Sequence, residues 1–413
     1  MRSLSDKLVK RREFLAQMFR RYYESRFDET FSLNDIEYRE FGFLFWENNR
    51  FIRHFGFIDF PSLKNHIQSE VPQHIYNSAA RYETPDAPNM KLKSFLDCDL
   101  IFDLDIDHIP TPCKKEHDEW QCKSCGTTGK GSAPKRCLAK DCNSNSFQEK
   151  TWECEKCMNI AKSEIIFIIE EFLAKDFGLN PKDDLFTVFS GRRGYHIHIE
   201  KEVLRQLNTN ARREIVDYIT GKGLVPSFHG LNPNARKKPS IYEAGWRGRI
   251  AKLVLRLLME SSSDQLQKIL TKNVNILDAQ QEIVSQLNSN EPSWSFTKIG
   301  EKTWMKLINT AINKYRGKID EPVTIDVHRL IRLPGSLHGK TGFLVKKLSL
   351  KELNTFDSFS HAQVFVGEKK LFVTETPQFR IGDETFGPFK NKTIELPMSA
   401  AIFLLCKGLA HLS

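Results

Sequence analysis

The stretch FDLDID, residues 102–107, alternates apolar and acidic side chains without a break. Successive side chains of a strand point to opposite faces. Phe102, Leu104 and Ile106 therefore share one face, and Asp103, Asp105 and Asp107 the other. The apolar face asks for a core. The acidic face sets like charges roughly 7 Å apart at Cα. Each carboxylate there raises the pKa of its neighbour unless a cation sits between them. Mg²⁺ or Mn²⁺ is the expected cation, since both take oxygen ligands. Asp103 and Asp105 are the candidate ligands, while Asp107 reads as a solvated residue at the strand end. A solvated face on an edge strand is the competing reading of the same alternation.

The rest of the chain sets the bounds. Its 413 residues are enough for a sizeable core and two or three structural units. Hydrophobic residues make up 40%, which is ordinary for a globular protein. The net charge of +9 points to a polyanionic partner. No apolar run approaches the ~20 residues of a membrane span; the longest candidate, Met398–Cys406, is flanked by polar residues. The basic start of the chain has no continuous apolar stretch and no small-residue cleavage site, so no signal peptide is expected. It reads as a helix with Leu4, Leu8, Leu15, Met18, Phe19 and Tyr22 near one face. An intracellular, cytoplasmic protein without a membrane partner is the expectation.

Seven of the nine cysteines fall between 113 and 157. Without a secretory signal, a disulfide framework is disfavoured and a zinc site favoured. Cys122-x-x-Cys125 and Cys154-x-x-Cys157 are chelating pairs, and Cys113, His117, Cys137 and Cys142 complete eight ligands, enough for two tetrahedral zincs. Two pairings are open. A sequential one joins Cys113, His117, Cys122 and Cys125, then Cys137, Cys142, Cys154 and Cys157. A nested one closes Cys122, Cys125, Cys137 and Cys142 within a site made by Cys113, His117, Cys154 and Cys157. Cys98 and Cys406 read as core residues.

Around the acidic strand the chain divides as follows. Residues 37–57 are aromatic and strand-like, with Arg53 among them, and 72–90 read as a Pro- and Asn-punctuated loop. Residues 158–177 form an amphipathic helix closed by Gly178. Residues 184–200 read as strand, tight turn, strand, and 202–318 as mostly helical. Residues 322–348 read as strand, loop, strand. Short strands and a last helix near 397–409 make the tail. The class is α+β, with the zinc region as an insert.

Two further segments carry chemistry. In SGRRGYHIHI (190–199), two glycines bracket Arg192 and Arg193 in a turn whose backbone can approach a ligand closely. Guanidinium and N–H groups gathered there suit phosphate oxygens. His196 follows on the outgoing strand; His198, on the same face, reads as a satisfied histidine. In DVHRLIRLPGSLHGKTG (326–342), Asp326 is a third acid at a strand start, and Arg329, Arg332, His338 and Lys340 surround a Pro-Gly turn. Three acids from two strands with clustered cations suit metal-assisted nucleotidyl transfer from a triphosphate.

Together, DLIFDLDIDH (99–108), SGRRGYHIHI and HRLIRLPGSLHGKTG (328–342) closely resemble, in this order, three motifs of the catalytic small subunit of archaeal and eukaryotic-type DNA primases. HIYNSAARYETP (74–85) and ECEKCMNIAK (153–162) look like its archaeal branch. The resemblance covers roughly residues 37–345 and implies the following. The fold is a catalytic unit around a mixed sheet, from 1–112, 158–202 and 319–413, with a zinc-binding insert at 113–157 and a helical subdomain at 203–318. Asp103, Asp105 and Asp326 hold two Mg²⁺ or Mn²⁺ ions. Ser190, Arg192, Arg193, His196, Arg332, His338 and Lys340 meet the nucleoside triphosphate, as does Arg53. The nested zinc pairing is favoured, with structural zinc on Cys113, His117, Cys154 and Cys157. Cys122, Cys125, Cys137 and Cys142 would be an extra finger.

The implied activity is primer synthesis de novo on single-stranded DNA during replication, in a heterodimer with a primase large subunit. A stand-alone primase-polymerase or end-joining polymerase shares the three acids and the histidine. A zinc-ribbon nucleic-acid-binding protein without catalysis is the non-enzyme alternative.

Overall fold

The computed structural model describes residues 4–47, 50–231, 235–270, 275–289, 292, 294 and 300–413. Parts of the helical stretch expected at 203–318, and the side chain of Leu4, lie outside the described residues. The chain divides into two compact units. The first comprises Met1–Ile166, Pro181–Arg213 and Ile319–Ser413, the second Phe167–Asn180 and Glu214–Lys318.

The strands of the first unit are these. β1 (Arg39–Leu44), β2 (Phe51–Phe55), β3 (His74–Tyr82), β4 (Phe95–Cys98) and β5 (Leu100–Asp105) come first. β6 (Glu119–Cys122), β7 (Thr128–Lys130) and β8 (Phe147–Lys150) lie in the Cys-rich stretch. β9 (Leu185–Phe189) and β10 (Gly194–Ile199) flank the Arg192–Arg193 turn, and β11 (Leu330–Arg332) and β12 (Lys346–Leu348) follow. β13 (Glu368–Thr376), β14 (Phe379–Ile381), β15 (Glu384–Phe386), β16 (Phe389–Pro397) and β17 (Ala410–Leu412) make the tail.

Two sheets build the site. One has the order β11-β3-β1-β2, with β4 also on β3; the other has the order β12-β9-β10-β5. The α+β class holds. The ladders between named strands are antiparallel, where a mixed sheet was expected. Tight connections such as the β9–β10 turn join neighbours directly, and only antiparallel strands can be joined so closely.

β5 explains the alternation at 102–107. Phe102 and Leu104 are fully buried in the core, and Asp103 and Asp105 face the other way. The strand stops at Asp105 and a 3-10 turn, Ile106–His108, follows. Asp107 therefore leaves the acidic face. The N-terminal helix, Leu4–Ser25, buries Leu15, Met18, Phe19 and Tyr22 as its periodicity predicts.

Two expectations need correcting. The segment read as a loop at 72–90 contains β3, which pairs with β1, β4 and β11. Its polar residues are used internally: Ser78 Oγ donates to the carbonyl of Ala80 at 2.6 Å and accepts from the N–H of Glu40 at 3.0 Å. Pairing on both edges overrides a composition poor in strand formers. The segment read as a strand from 322 begins with a helical turn, Glu321–Ile325, with Pro322 in its first turn.

In the second unit, Gly245–Glu260 packs on Glu301–Tyr315; Leu253, Val254 and Leu257 of the first helix and Leu307, Ile308 and Ala311 of the second are buried. Arg249 is buried there, paired with Asp176 at 2.7 Å and stacked on Phe172.

Candidate active site

Asp103 and Asp105 are delivered by β5, the edge strand of its sheet. The register sets Asp103 opposite His196 and Asp105 opposite Gly194. Asp103 Oδ1 and His196 Nε2 lie 3.4 Å apart. Gly194 is required by close approach: a Cβ there would stand 2.6 Å from the carbonyl oxygen of Leu104. Burial pushes Asp103 up to about 7, with Asp105 and then Asp320 adding to the effect and Arg329 and Arg332 opposing it. Burial and Asp107 likewise raise Asp105. Burial and Arg332 push His196 down to about 3, so its imidazole is neutral near pH 7.

Asp320 was missed in the sequence. Its backbone N–H donates to the carbonyl of Asp103 at 2.8 Å, closing the free edge of β5. It occupies the N-cap of the Glu321–Ile325 turn, yet its side chain makes no capping bond. Asp326 stands at the C-cap of the same turn. Its Oδ1 accepts from the N–H of His328 at 2.9 Å, and its charge acts on Arg53 and Tyr82. The signal that could have drawn attention to Asp320 was an acid two residues before a proline, a helix-start pattern at 320–322.

The cations face the acids across a cleft of about 220 Å³, which Tyr76, Arg332, His338 and the 190–194 turn line with Asp103 and Asp105. Arg332 sits over the Tyr76 ring at 4.9 Å, and its Nη1 meets an imidazole nitrogen, His74 Nδ1, at 2.7 Å. His338 Nδ1 accepts from the N–H of Lys340 at 3.2 Å, which places the proton of the neutral ring on Nε2. Burial, with Arg332, holds His338 and His74 well below the usual histidine range. Lys340 is pushed down by burial and by Arg192 and Arg332. Such mutual depression marks an excess of positive charge that an anion would relieve.

The two arginines of the turn differ from expectation in their partners. Arg192 Nε pairs with Glu153 Oε1 at 3.0 Å. Arg193 is buried and pairs with Asp118 at 3.0 Å and Asp107 at 3.2 Å. Ser190 Oγ accepts from the N–H of Gly194 at 3.2 Å and so closes the turn. Arg53 is not brought to this cleft. It forms a two-bond pair with buried Glu40, at 2.7 and 2.9 Å. His198 stacks on Phe186 with ring centroids 4.9 Å apart, a core role.

The cysteines gather in the nested arrangement. Ligand atoms of Cys113, His117, Cys154 and Cys157 lie within 4.8 Å of one another, as do those of Cys122, Cys125, Cys137 and Cys142. In the first group, called inner because its neighbours reach the cleft, Cys113 and Cys154 Sγ are 3.7 Å apart and Cys157 Sγ is 3.5 Å from His117 Nε2; the Cys122 group is called outer. In the outer group Cys122 and Cys142 are 3.7 Å apart. Tetrahedral zinc with Zn–S of about 2.3 Å sets sulfurs about 3.8 Å apart; Cys113–Cys157 at 3.3 Å and Cys125–Cys137 at 3.5 Å are tighter, so each group fits zinc with a small opening. His117 Nδ1 meets Asp118 Oδ1 at 2.7 Å, the carboxylate–histidine contact that orients metal-binding rings. Among the described residues these are the groups of three or more His, Cys, Asp or Glu that come so close. Asp103 and Asp105 form no such group with either Asp320 or Asp326.

The sequence matches the DNA primase small subunit family over residues 139–350. It is 30% identical over 405 residues to the DNA primase small subunit PriS of Nitrosopumilus maritimus, covering 97% of this chain and 98% of that one. It is 34% identical over 429 residues to the corresponding protein of Methanothrix thermoacetophila, covering 96% and 98%. The chain belongs to the DNA primase small subunit family. The family match takes in the turn at 190–194 and the segment around Arg332 and His338, but begins after Asp103 and Asp105. The alignments with primase small subunits span nearly the full length and extend the membership to the whole chain. No described helix is long and apolar enough to cross a membrane.

Proposed function

We propose that this chain is the catalytic subunit of a DNA primase, making short primers de novo on single-stranded DNA by nucleotidyl transfer from nucleoside triphosphates. The observation that carries the reading is the Asp103–Asp105 pair, with Asp103 driven up to about 7, across a small cleft from Arg332 and His338, with Lys340 under the charge of Arg332. One side is built for cations and the other for a polyphosphate.

Two divalent cations, Mg²⁺ or Mn²⁺, on these carboxylates would activate an attacking 3′-hydroxyl and neutralise the leaving pyrophosphate. We assign the third carboxylate to Asp320 in place of Asp326. Its N–H on the Asp103 carbonyl, its charge on Asp103 and its freedom from capping support this. Arg332 and Lys340 bind phosphate oxygens. His338 donates from Nε2, and neutral His196 holds the side chain of Asp103 in place. The backbone of Gly191–Arg193 offers N–H groups beside them. Residues 1–112, 158–166, 181–202 and 319–413 serve as the catalytic unit, with 167–180 belonging to the second unit. A large subunit is the partner, and it supplies what the first dinucleotide step needs.

The test is synthesis on unprimed single-stranded DNA with labelled nucleoside triphosphates and Mg²⁺ or Mn²⁺, with and without a co-purified partner. Asp103→Asn and Asp320→Asn are each expected to lower synthesis by about 10²–10³-fold, and Asp326→Asn by less than about tenfold. Equal losses for the last two would return Asp326 to the site. Extension of supplied primers alone would identify a repair polymerase.

A further inference from the structure

Three residues, each next in sequence to a ligand of the inner Cys/His group, reach back to the cleft. Lys114 follows Cys113; its Nζ donates to the carbonyls of Ile106, Ile109 and Asp107 at 2.5, 2.8 and 3.1 Å, holding the turn that leaves Asp105. Asp118 follows His117. One oxygen takes His117 Nδ1 and the N–H of Trp152, at 2.7 and 2.9 Å, and the other takes Arg193 Nη2 at 3.0 Å. Glu153 precedes Cys154; it takes Arg192 Nε at 3.0 Å and the ammonium of Lys407. All three are buried, at 2–3% exposure.

Among the described residues, no side chain next to a ligand of the outer group has such a reach; the ribbon meets Asp118 only through the N–H of Gly131 on its carbonyl, at 2.7 Å. Neighbours of the outer ligands bond within the ribbon, Ser124 to Ser144 and Gln121 to the carbonyl of Gly126, and Leu138 is exposed. One zinc-type group is thus wired into the walls of the cleft and the other is not.

We propose that the inner group positions the triphosphate-binding turn, through Lys114, Asp118 and Glu153 as positioning residues, and that the outer ribbon plays no part in this. The physical reason is leverage. Ligation fixes the backbone at 113, 117 and 154. The side chain next to each ligand then fixes a second element by a buried charge-assisted bond, the kind that holds geometry best. Arg192 and Arg193 are pinned at their guanidinium ends by two such carboxylates, so the backbone between Gly191 and Gly194 is held from outside. The inference rests on reading that turn as the phosphate-binding side of the cleft.

The experiment uses the full chain. Amide hydrogen exchange of residues 190–195, zinc content by atomic absorption and steady-state constants for nucleoside triphosphates are measured for wild type and three variants. Asp118→Asn and Glu153→Gln leave every ligand in place; a Cys125→Ser/Cys137→Ser double variant opens the outer group. The first two should keep inner-site zinc, speed exchange in the turn and raise KM by about 10–100-fold with a much smaller change in kcat. The double variant should lose one zinc and leave exchange in the turn unchanged. Unchanged exchange in Asp118→Asn and Glu153→Gln with zinc retained would overturn the proposal. So would equal loosening by the outer variant. If the wild type makes no primers, the proposed function fails, while the exchange comparison still decides this inference.

Discussion

At the scale of single residues, the carboxyl of Asp103 is the most informative group. Its folded-state value of about 7 lies above its ordinary value of 3.8. Between those two values the unfolded chain has lost this proton and the folded chain keeps it. The group therefore works against folding as pH rises through that window, and the full opposition is present above about 7. Cation binding must displace the same proton. Mn²⁺ affinity, measured by calorimetry, is thus expected to rise about tenfold per pH unit below 7 and to level off above it. A flat profile would remove Asp103 from the ligands. His196, neutral in the folded chain at these pH values, adds no slope to that affinity, but its fall from 6.5 to about 3 on folding costs stability as pH drops below 6.5. Asp103 and Asp105 were legible in the sequence because a period of two announces itself within six residues. Asp320 was not. Two acids stand six residues apart in the same segment, and only the path of the chain past β5 distinguishes them.

At the scale of elements, the β9–β10 hairpin joined to β5 is the frame that faces acid with imidazole. Gly194→Ala would drive a methyl into the carbonyl of Leu104, so we expect a loss of about 1–3 kcal/mol in urea unfolding, together with reduced synthesis. A variant as stable and active as wild type would show that β10 need not lie so close to β5. The hairpin was readable from its glycines and flanking apolar residues. β3 was not, because Asn77, Ser78, Ala79 and Ala80 look like a loop until three neighbouring strands claim their backbone. The partner of Arg53 was hidden for a related reason. Glu40 sits on the adjacent strand β1, a pairing that a linear reading does not display.

At the scale of the whole molecule, the charge of +9 is an electrostatic statement about partners and says nothing of fold. Single-stranded DNA binding should weaken with salt. If four to six phosphates are neutralised, the slope of log affinity against log salt is about −3 to −4. Fluorescence anisotropy with a labelled oligonucleotide would measure it, and a slope near zero would argue against a backbone-tracking surface. The order of the functional segments was legible because each is short and chemically dense. The division of the chain was less so. The second unit takes Phe167–Asn180 from the end of a helix that the sequence reads as one piece, and no change in composition marks that border.

The peptide N–H of Asp320 has a second consequence. β5 ends its sheet, and an unpaired strand edge is an invitation to another chain. By occupying the carbonyl of Asp103, the start of the Glu321–Ile325 turn acts as a stopper against intermolecular sheet growth. On the proposed assignment of Asp320, resistance to self-association and catalysis lean on one backbone bond. Disrupting that turn should yield a chain that self-associates, visible by light scattering, as well as one that fails to make primers.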